Sequence, residues 1–244
     1  MKDPRSLRAR EARSASRLDH EYCIRVTDFG KSEDGLLYLA MELLEGASLG
    51  REARRGPMEA GRVAAIGVAA AEALQHAHDS GVIHRDLKPD NIFLARRSKR
   101  RQIVKVLDFG LAKLVTDGHA GSSITRDGTV FGTPEYMAPE QAEGENLDGR
   151  TDIYALGVIL YQLLCGEVPF VASNFVALLT KQVSEPPVPL AKRKPDLELP
   201  EGLAEVVMRC LEKKRERRFA SAMELADALW PFVDEAALQS LSLP

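Results

Sequence analysis

The sequence predicts an α+β chain in which a small mixed lobe leads into a larger, mainly helical one. Three observations carry this reading. One helical pattern and two strand-like segments open the chain; two short strands flank a basic turn near its middle; and almost everything after residue 150 repeats at helical spacing.

Asp3-Pro4 reads as an N-cap with proline at the first helical position. The helix it opens puts Leu7, Glu11, Ala15 and Leu18 on one face, with Glu11 as a carboxylate on an otherwise apolar stripe. Strand-like segments follow at 24–28 and 37–43, joined by a turn over 31–35. From Pro57 the apolar residues Val63, Ile66, Ala70, Ala73, Leu74 and Ala77 recur three and four apart, predicting a helix. A loop holds 84–91. Strands at 92–94 and 103–107 bracket Arg96-Arg97-Ser98-Lys99-Arg100-Arg101, read as a solvated hairpin tip with a docking patch as the alternative. Residues 116–129 are polar and form a longer connection than packing needs, the usual sign of a functional loop. Helices are predicted over 153–164, 174–183, 203–212 and 222–230.

With 244 residues the chain has the length of one sizeable domain. Its 45% hydrophobic and 28% charged residues are ordinary for a globular protein. A net charge of -3 gives no electrostatic case for nucleic acid or an anionic membrane. Cys23, Cys165 and Cys210 are widely spaced and include no CxxC, which fits reduced thiols rather than disulfides or zinc. Met1-Lys2-Asp3-Pro4-Arg5 is followed by no apolar stretch, so no signal peptide is read there. The longest apolar run, 153–165, is broken by Gln162 and falls short of the ~18 residues of a membrane span. A cytoplasmic protein without a membrane segment is the expectation.

The chemistry concentrates in His84-Arg85-Asp86-Leu87-Lys88-Pro89-Asp90-Asn91. Phosphoryl transfer needs a base for the acceptor hydroxyl, a cation near the moving phosphate and ligands for magnesium. Asp86, Lys88 and Asn91 offer one of each. The run resembles the catalytic loop of protein kinases, and the other motifs of that family follow in order. By this resemblance Asp108 of Asp108-Phe109-Gly110 holds magnesium and Phe109 packs towards the regulatory helix. Asp28-Phe29-Gly30 repeats the tripeptide where the family has no metal site, and is read as a strand end and turn. Gly132-Thr133-Pro134-Glu135-Tyr136-Met137-Ala138-Pro139-Glu140 looks like the substrate-positioning loop. The resemblance implies that Glu140 pairs with Arg218, in the pattern that starts at Cys210, and that Asp152 hydrogen-bonds the catalytic-loop backbone, with a plain N-cap as the alternative for Asp152.

Lys88 and Thr133 are similar to serine/threonine rather than tyrosine kinases. Aminoglycoside-type phosphotransferases share the aspartate and asparagine but not the loop from Gly132 to Glu140. Arg85 resembles the arginine that meets a phosphate on the activation segment, for which Ser122, Ser123, Thr125 and Thr129 are candidates and Thr129 the preferred one. Met41 fits the gatekeeper position. Glu42 to Leu44 then form the hinge, whose backbone would hold adenine, and Phe93 belongs to the same cofactor pocket.

The resemblance implies a two-lobed kinase fold: a remnant of the small lobe over 1–45, the large lobe over 46–236 and a C-terminal tail over 237–244. It implies ATP and Mg2+ as cofactors and a protein as substrate, and the composition resembles bacterial members. The sequence departs from the family at its start. No G-x-G-x-x-G occurs, and Lys2 is not in the strand context of the phosphate-contacting lysine, which leaves Glu11 without its partner. The expectation is an activity far below a complete domain, with a pseudokinase or interaction module as the alternative reading. A partner that supplies or covers the missing strands is a further one.

Overall fold

The computed structural model describes residues 18–109 and 133–243. Two antiparallel sheets stand before a helical mass. β1 (Val26–Lys31) pairs with β2 (Leu37–Met41) as a hairpin, with Phe29 opposite Leu39 and Gly30 opposite Tyr38. The turn is closed by the Ser32 amide on the Leu36 carbonyl at 2.8 Å, with Gly35 left-handed at φ 86°. Asp28-Phe29-Gly30 therefore lies inside β1 rather than at its end, and the turn begins at Ser32. Pairing overrides the low strand propensity of aspartate and glycine. The ring of Tyr38 lies over Gly30, where a Cβ would come within 2.8 Å of its hydroxyl, and that hydroxyl donates to Asp28 at 3.0 Å. Phe29, Leu36, Tyr38, Met41 and Leu43 all stand exposed on this hairpin segment.

The second sheet runs β3-β4-β5, from β3 (Gly46–Ser48), β4 (Ile92–Arg96) and β5 (Gln102–Val106). β3 passes directly into α1 (Leu49–Ala53), capped by the Ser48 hydroxyl accepting from the Arg51 amide at 3.3 Å. Neither element was legible in the sequence, since three and five residues are too few to show a period. Gly46 sits at φ 152°, and a Cβ there would lie 2.1 Å from the Leu94 carbonyl oxygen. Glycine lets β3 meet β4 at this point.

α2 (Ala60–Asp79) is the central helix. Val63 through Ala71 are buried without a break, so it has no solvent stripe over that stretch. Its alanines let α4 (Arg150–Cys165), α8 (Ala222–Leu229) and α9 (Glu235–Ser240) close around it. Short α3 (Pro139–Ala142) and α6 (Leu190–Arg193), α5 (Phe175–Ser184) and α7 (Leu203–Cys210) complete the lobe. Residues 237–243, read from sequence as a tail, pack into it: Ala237 and Leu241 are buried, and Leu241 bridges to Gln102. Residues 18–24 do the same, with Leu18, Tyr22 and Cys23 in the same core and Cys23 bridged to Val106. All three cysteines are buried free thiols. No helix among the described residues is long and apolar enough to cross a membrane.

Replacing Gly46 by alanine is expected to destabilise the fold by about 2–3 kcal/mol, since both the backbone conformation and the Leu94 carbonyl oppose a Cβ. Urea unfolding measures this; a change below about 0.5 kcal/mol would show that β3 relaxes freely.

Candidate active site

Asp152 lies in the first turn of α4 and is almost wholly buried. Its Oδ2 accepts from the His84 amide at 2.9 Å and from His78 Nε2 at 2.7 Å, while Oδ1 accepts from the Arg85 amide at 2.9 Å. Burial pushes this carboxyl up, but the His78 hydrogen bond and the neighbouring imidazoles and amide outweigh it and hold it below its ordinary value. Two successive amides meet one carboxylate next to the left-handed Arg85, at φ 69°. The Arg85 carbonyl in turn accepts from Gln141 Nε2 at 2.8 Å. This strained backbone is thus fixed on both sides, the condition under which such strain persists.

Beyond Arg85, Lys88 Nζ donates to Asp86 Oδ2 at 2.9 Å. Asn91 ends a 3-10 turn (Pro89–Asn91) and donates through Nδ2 to the Asp86 carbonyl at 2.8 Å. That bond orients the amide so that Oδ1 is the end left for a ligand. The Leu107 amide donates to the Asn91 carbonyl at 2.8 Å, which brings the end of β5 alongside the loop and Asp108 next to it in sequence. Asp108 is exposed and left-handed, at φ 58°. Phe109 is buried against the His84 ring at 5.1 Å between centroids, and His84 Nε2 donates to the Leu107 carbonyl at 2.8 Å. Asn91 and Asp108 present hard oxygen atoms of the kind Mg2+ takes. Among the described residues there is no cluster of three or more His, Cys, Asp or Glu suited to a metal.

The loop after Thr133 is held at both ends. Arg218 donates to Glu140 through Nη1 and Nη2 at 2.7 and 2.8 Å, both side chains being buried, and Thr151 Oγ1 adds a third bond at 3.0 Å. Burial raises the Glu140 carboxyl, and Arg218 more than offsets this, leaving it below its ordinary value. At the other end, Gln182 of α5 is fully buried and donates from Nε2 to the Pro134 and Glu135 carbonyls at 3.2 and 2.8 Å. Its Oε1 accepts from the Tyr154 hydroxyl at 2.6 Å. Lys213 Nζ donates to the Gln182 carbonyl at 2.7 Å and lies over the Phe170 ring at 4.0 Å. Burial, and then Arg218, push its pKa down to about 8. Thr133 precedes the 3-10 turn (Pro134–Tyr136), and its carbonyl accepts from the Tyr136 amide at 3.1 Å.

At the hinge, the Glu42 amide donates to the Arg25 carbonyl at 3.0 Å, and its carboxylate takes bonds from the Arg25 amide and Lys105 Nζ, each at 2.9 Å. The Glu42 side chain therefore fixes the chain rather than facing a ligand. Among the described residues nothing engages the Glu42 carbonyl or the Leu44 amide, the groups a purine edge would need. Leu44 and Phe93 are half-buried against the core, whereas Met41 is exposed. Glu11 and Thr129, with the other candidate phosphate carriers, lie outside the described residues. Among those described, Arg85 Nε is buried without a hydrogen-bond partner. Sequence reasoning missed His78, Lys105, Gln141, Tyr154 and Gln182. Lys213 stood inside the pattern that starts at Cys210 and had been given no role.

Asp152→Asn would set an amide N–H against a backbone N–H, and is expected to cost about 2–4 kcal/mol at neutral pH. Because the folded carboxyl titrates below its ordinary value of 3.8, its contribution is complete above that value and fades as pH falls further. Unfolding of both proteins across that range tests this; a difference that widened on acidification would contradict it. Gln182→Met keeps the volume and removes the bonds to Pro134 and Glu135. The Tyr136 and Met137 amides should then exchange hydrogen about tenfold faster or more, with α2 unchanged. Equal rates at 136 and 137 would remove Gln182 from the loop's support.

The protein kinase domain family model matches residues 2–230. Over 214 residues the chain is 47% identical to serine/threonine-protein kinase pkn3 of Myxococcus xanthus, covering 87% of this chain and 39% of that protein. It is 44% identical over 220 residues to pkn2 of the same organism, covering 90% of this chain and 26% of that protein. PknB of Mycolicibacterium smegmatis is 39% identical over 220 residues, covering 88% of this chain and 34% of that protein. The chain thus spans well under half the length of these bacterial relatives. A family model over nearly its whole length, on a small stranded part that leads into a larger helical one, shows that this chain belongs to the protein kinase family.

Proposed function

We propose that this domain transfers the γ-phosphate of ATP to a serine or threonine hydroxyl of a protein. The observation that carries the reading is the tie between Asp86, Lys88 and Asn91: an ion pair at 2.9 Å and an amide bond at 2.8 Å hold base, cation and oxygen donor in one loop. Asp86 Oδ2 would orient the acceptor hydroxyl and take its proton as that oxygen forms its bond to phosphorus and the bond to the ADP oxygen breaks. Lys88, already beside Asp86, would stay with the transferred group as its charge redistributes. Magnesium, when bound, neutralises charge on the phosphates; Asn91 Oδ1 and Asp108 would hold it. The Glu42 carbonyl and Leu44 amide would receive the adenine edge, with Phe93 beneath. The loop from Thr133 to Glu140 would seat the protein substrate, and Arg85 would receive a phosphate carried on the activation segment, with Thr129 as the proposed carrier.

An interaction module without turnover is the second reading. It is favoured by the apolar side chains exposed on β1, β2 and the segment just after them.

Asp86→Asn is expected to lower phosphate transfer to a serine/threonine peptide mixture by about 10²-fold or more. Mg·ATP binding, followed by calorimetry, should persist in that variant and vanish in Asp108→Ala. Transfer unaffected by Asp86→Asn would remove its role as base. A folded chain with no Mg·ATP binding would favour the interaction module.

A further inference from the structure

The basic turn between β4 and β5 takes no part in the site described above. It is ordered: the Arg97 and Ser98 amides donate to the Arg101 carbonyl at 2.9 and 3.1 Å, and Ser98 Oγ accepts from the Arg101 amide at 3.2 Å. With β3 and α1 it borders an open recess of about 360 Å3. Arg51, Arg55, Arg96, Lys99, Arg100 and Arg101 line it, against one carboxylate, Glu52. Glu52 pairs with Arg55 at 2.8 Å, and Arg96 with Glu45 at 3.5 Å. Among the described residues, Arg51, Lys99, Arg100 and Arg101 have no carboxylate within 4.0 Å. Gln102 and Ser240 form part of the lining, and both are held from behind by half-buried Arg62, which donates to Gln102 Oε1 at 2.7 Å and to Ser240 Oγ at 3.1 Å. A further guanidinium with neutral hydrogen-bond partners thus lies beneath a lining that holds six cationic residues and one carboxylate, a field that favours an anion.

We propose that this recess binds a phosphoserine or phosphothreonine on a segment of a partner protein. A carboxylate brings one charge and is matched by a single guanidinium fork. A phosphate monoester brings a charge of about −1.5 to −2 and three acceptor oxygens, which suits several guanidinium groups around one small volume. No aromatic side chain lines the recess, so the stacking platform that single-stranded nucleic acid uses is missing. The net charge of -3 offers no general attraction for a polyanion.

The test is fluorescence anisotropy on the intact chain with labelled peptides that differ only in a central phosphoserine, glutamate or serine. The phosphoserine peptide should bind at least about tenfold tighter than the glutamate peptide, and the advantage should shrink with added salt. Arg51→Glu combined with Arg100→Glu should abolish it; both side chains are exposed, and circular dichroism checks the fold. Equal binding of the three peptides, a preference retained in the double variant, or tighter binding of an RNA oligomer of equal charge would each overturn the proposal. Binding is read without turnover, so the result stands apart from whether the chain transfers phosphate.

Discussion

At the N-terminal end of α4, one buried carboxylate organises the loop that carries Asp86. Asp152 is almost wholly removed from solvent, so its charge is tolerated because His78 and the amides of His84 and Arg85 supply hydrogen bonds at 2.7–2.9 Å. The partial positive charge of the helix terminus works in the same direction. The dependence is mutual. The left-handed Arg85 is a conformation the chain would leave without Asp152, and leaving it would re-aim Asp86, Lys88 and Asn91 together. The loop over 84–91 is in this sense fastened to the central helices, not to the small lobe.

The loop from Thr133 to Glu140 follows the same logic with different groups. Glu140 and Arg218 form a buried, bidentate pair, a geometry that offsets desolvation only when the remaining hydrogen-bonding capacity is used. Here Thr151 completes Glu140, while the carbonyls of Glu212, Arg150 and Lys213 complete Arg218. From Arg218 the contacts run through Tyr154 and Lys213 to Gln182 and so to the carbonyls of Pro134 and Glu135. Gln141 ties this loop back to the Arg85 carbonyl. This loop and the one that carries Asp86 are therefore held by a continuous set of polar groups set into an apolar core, where each bond is stronger than in water and each loss costlier.

The hairpin β1–β2 contrasts with this. Its turn is well formed, yet Tyr38 is 47% exposed and Leu43 just beyond it 94%, so among the described residues it is supported mainly by its own pairing. Lys105 compensates at its base by joining Glu42 to the Cys23 carbonyl, linking hinge, β5 and the segment ahead of β1.

Legible in the sequence alone were the long helices, the hairpin and the residue types singled out as candidates for the site. Helical periodicity over ten or more residues and motifs of fixed spacing are local properties, and they survive without knowledge of neighbours. Asp86, Lys88, Asn91 and Asp108 could be named that way. β3, α1 and the packing of 237–243 could not, because elements of three to six residues owe their form to what they lie against. Gln182, Lys213, His78 and Lys105 were hidden for a related reason. Each acts on a backbone carbonyl or a carboxylate between 31 and 74 residues away, and only the tertiary structure decides which distant groups become partners.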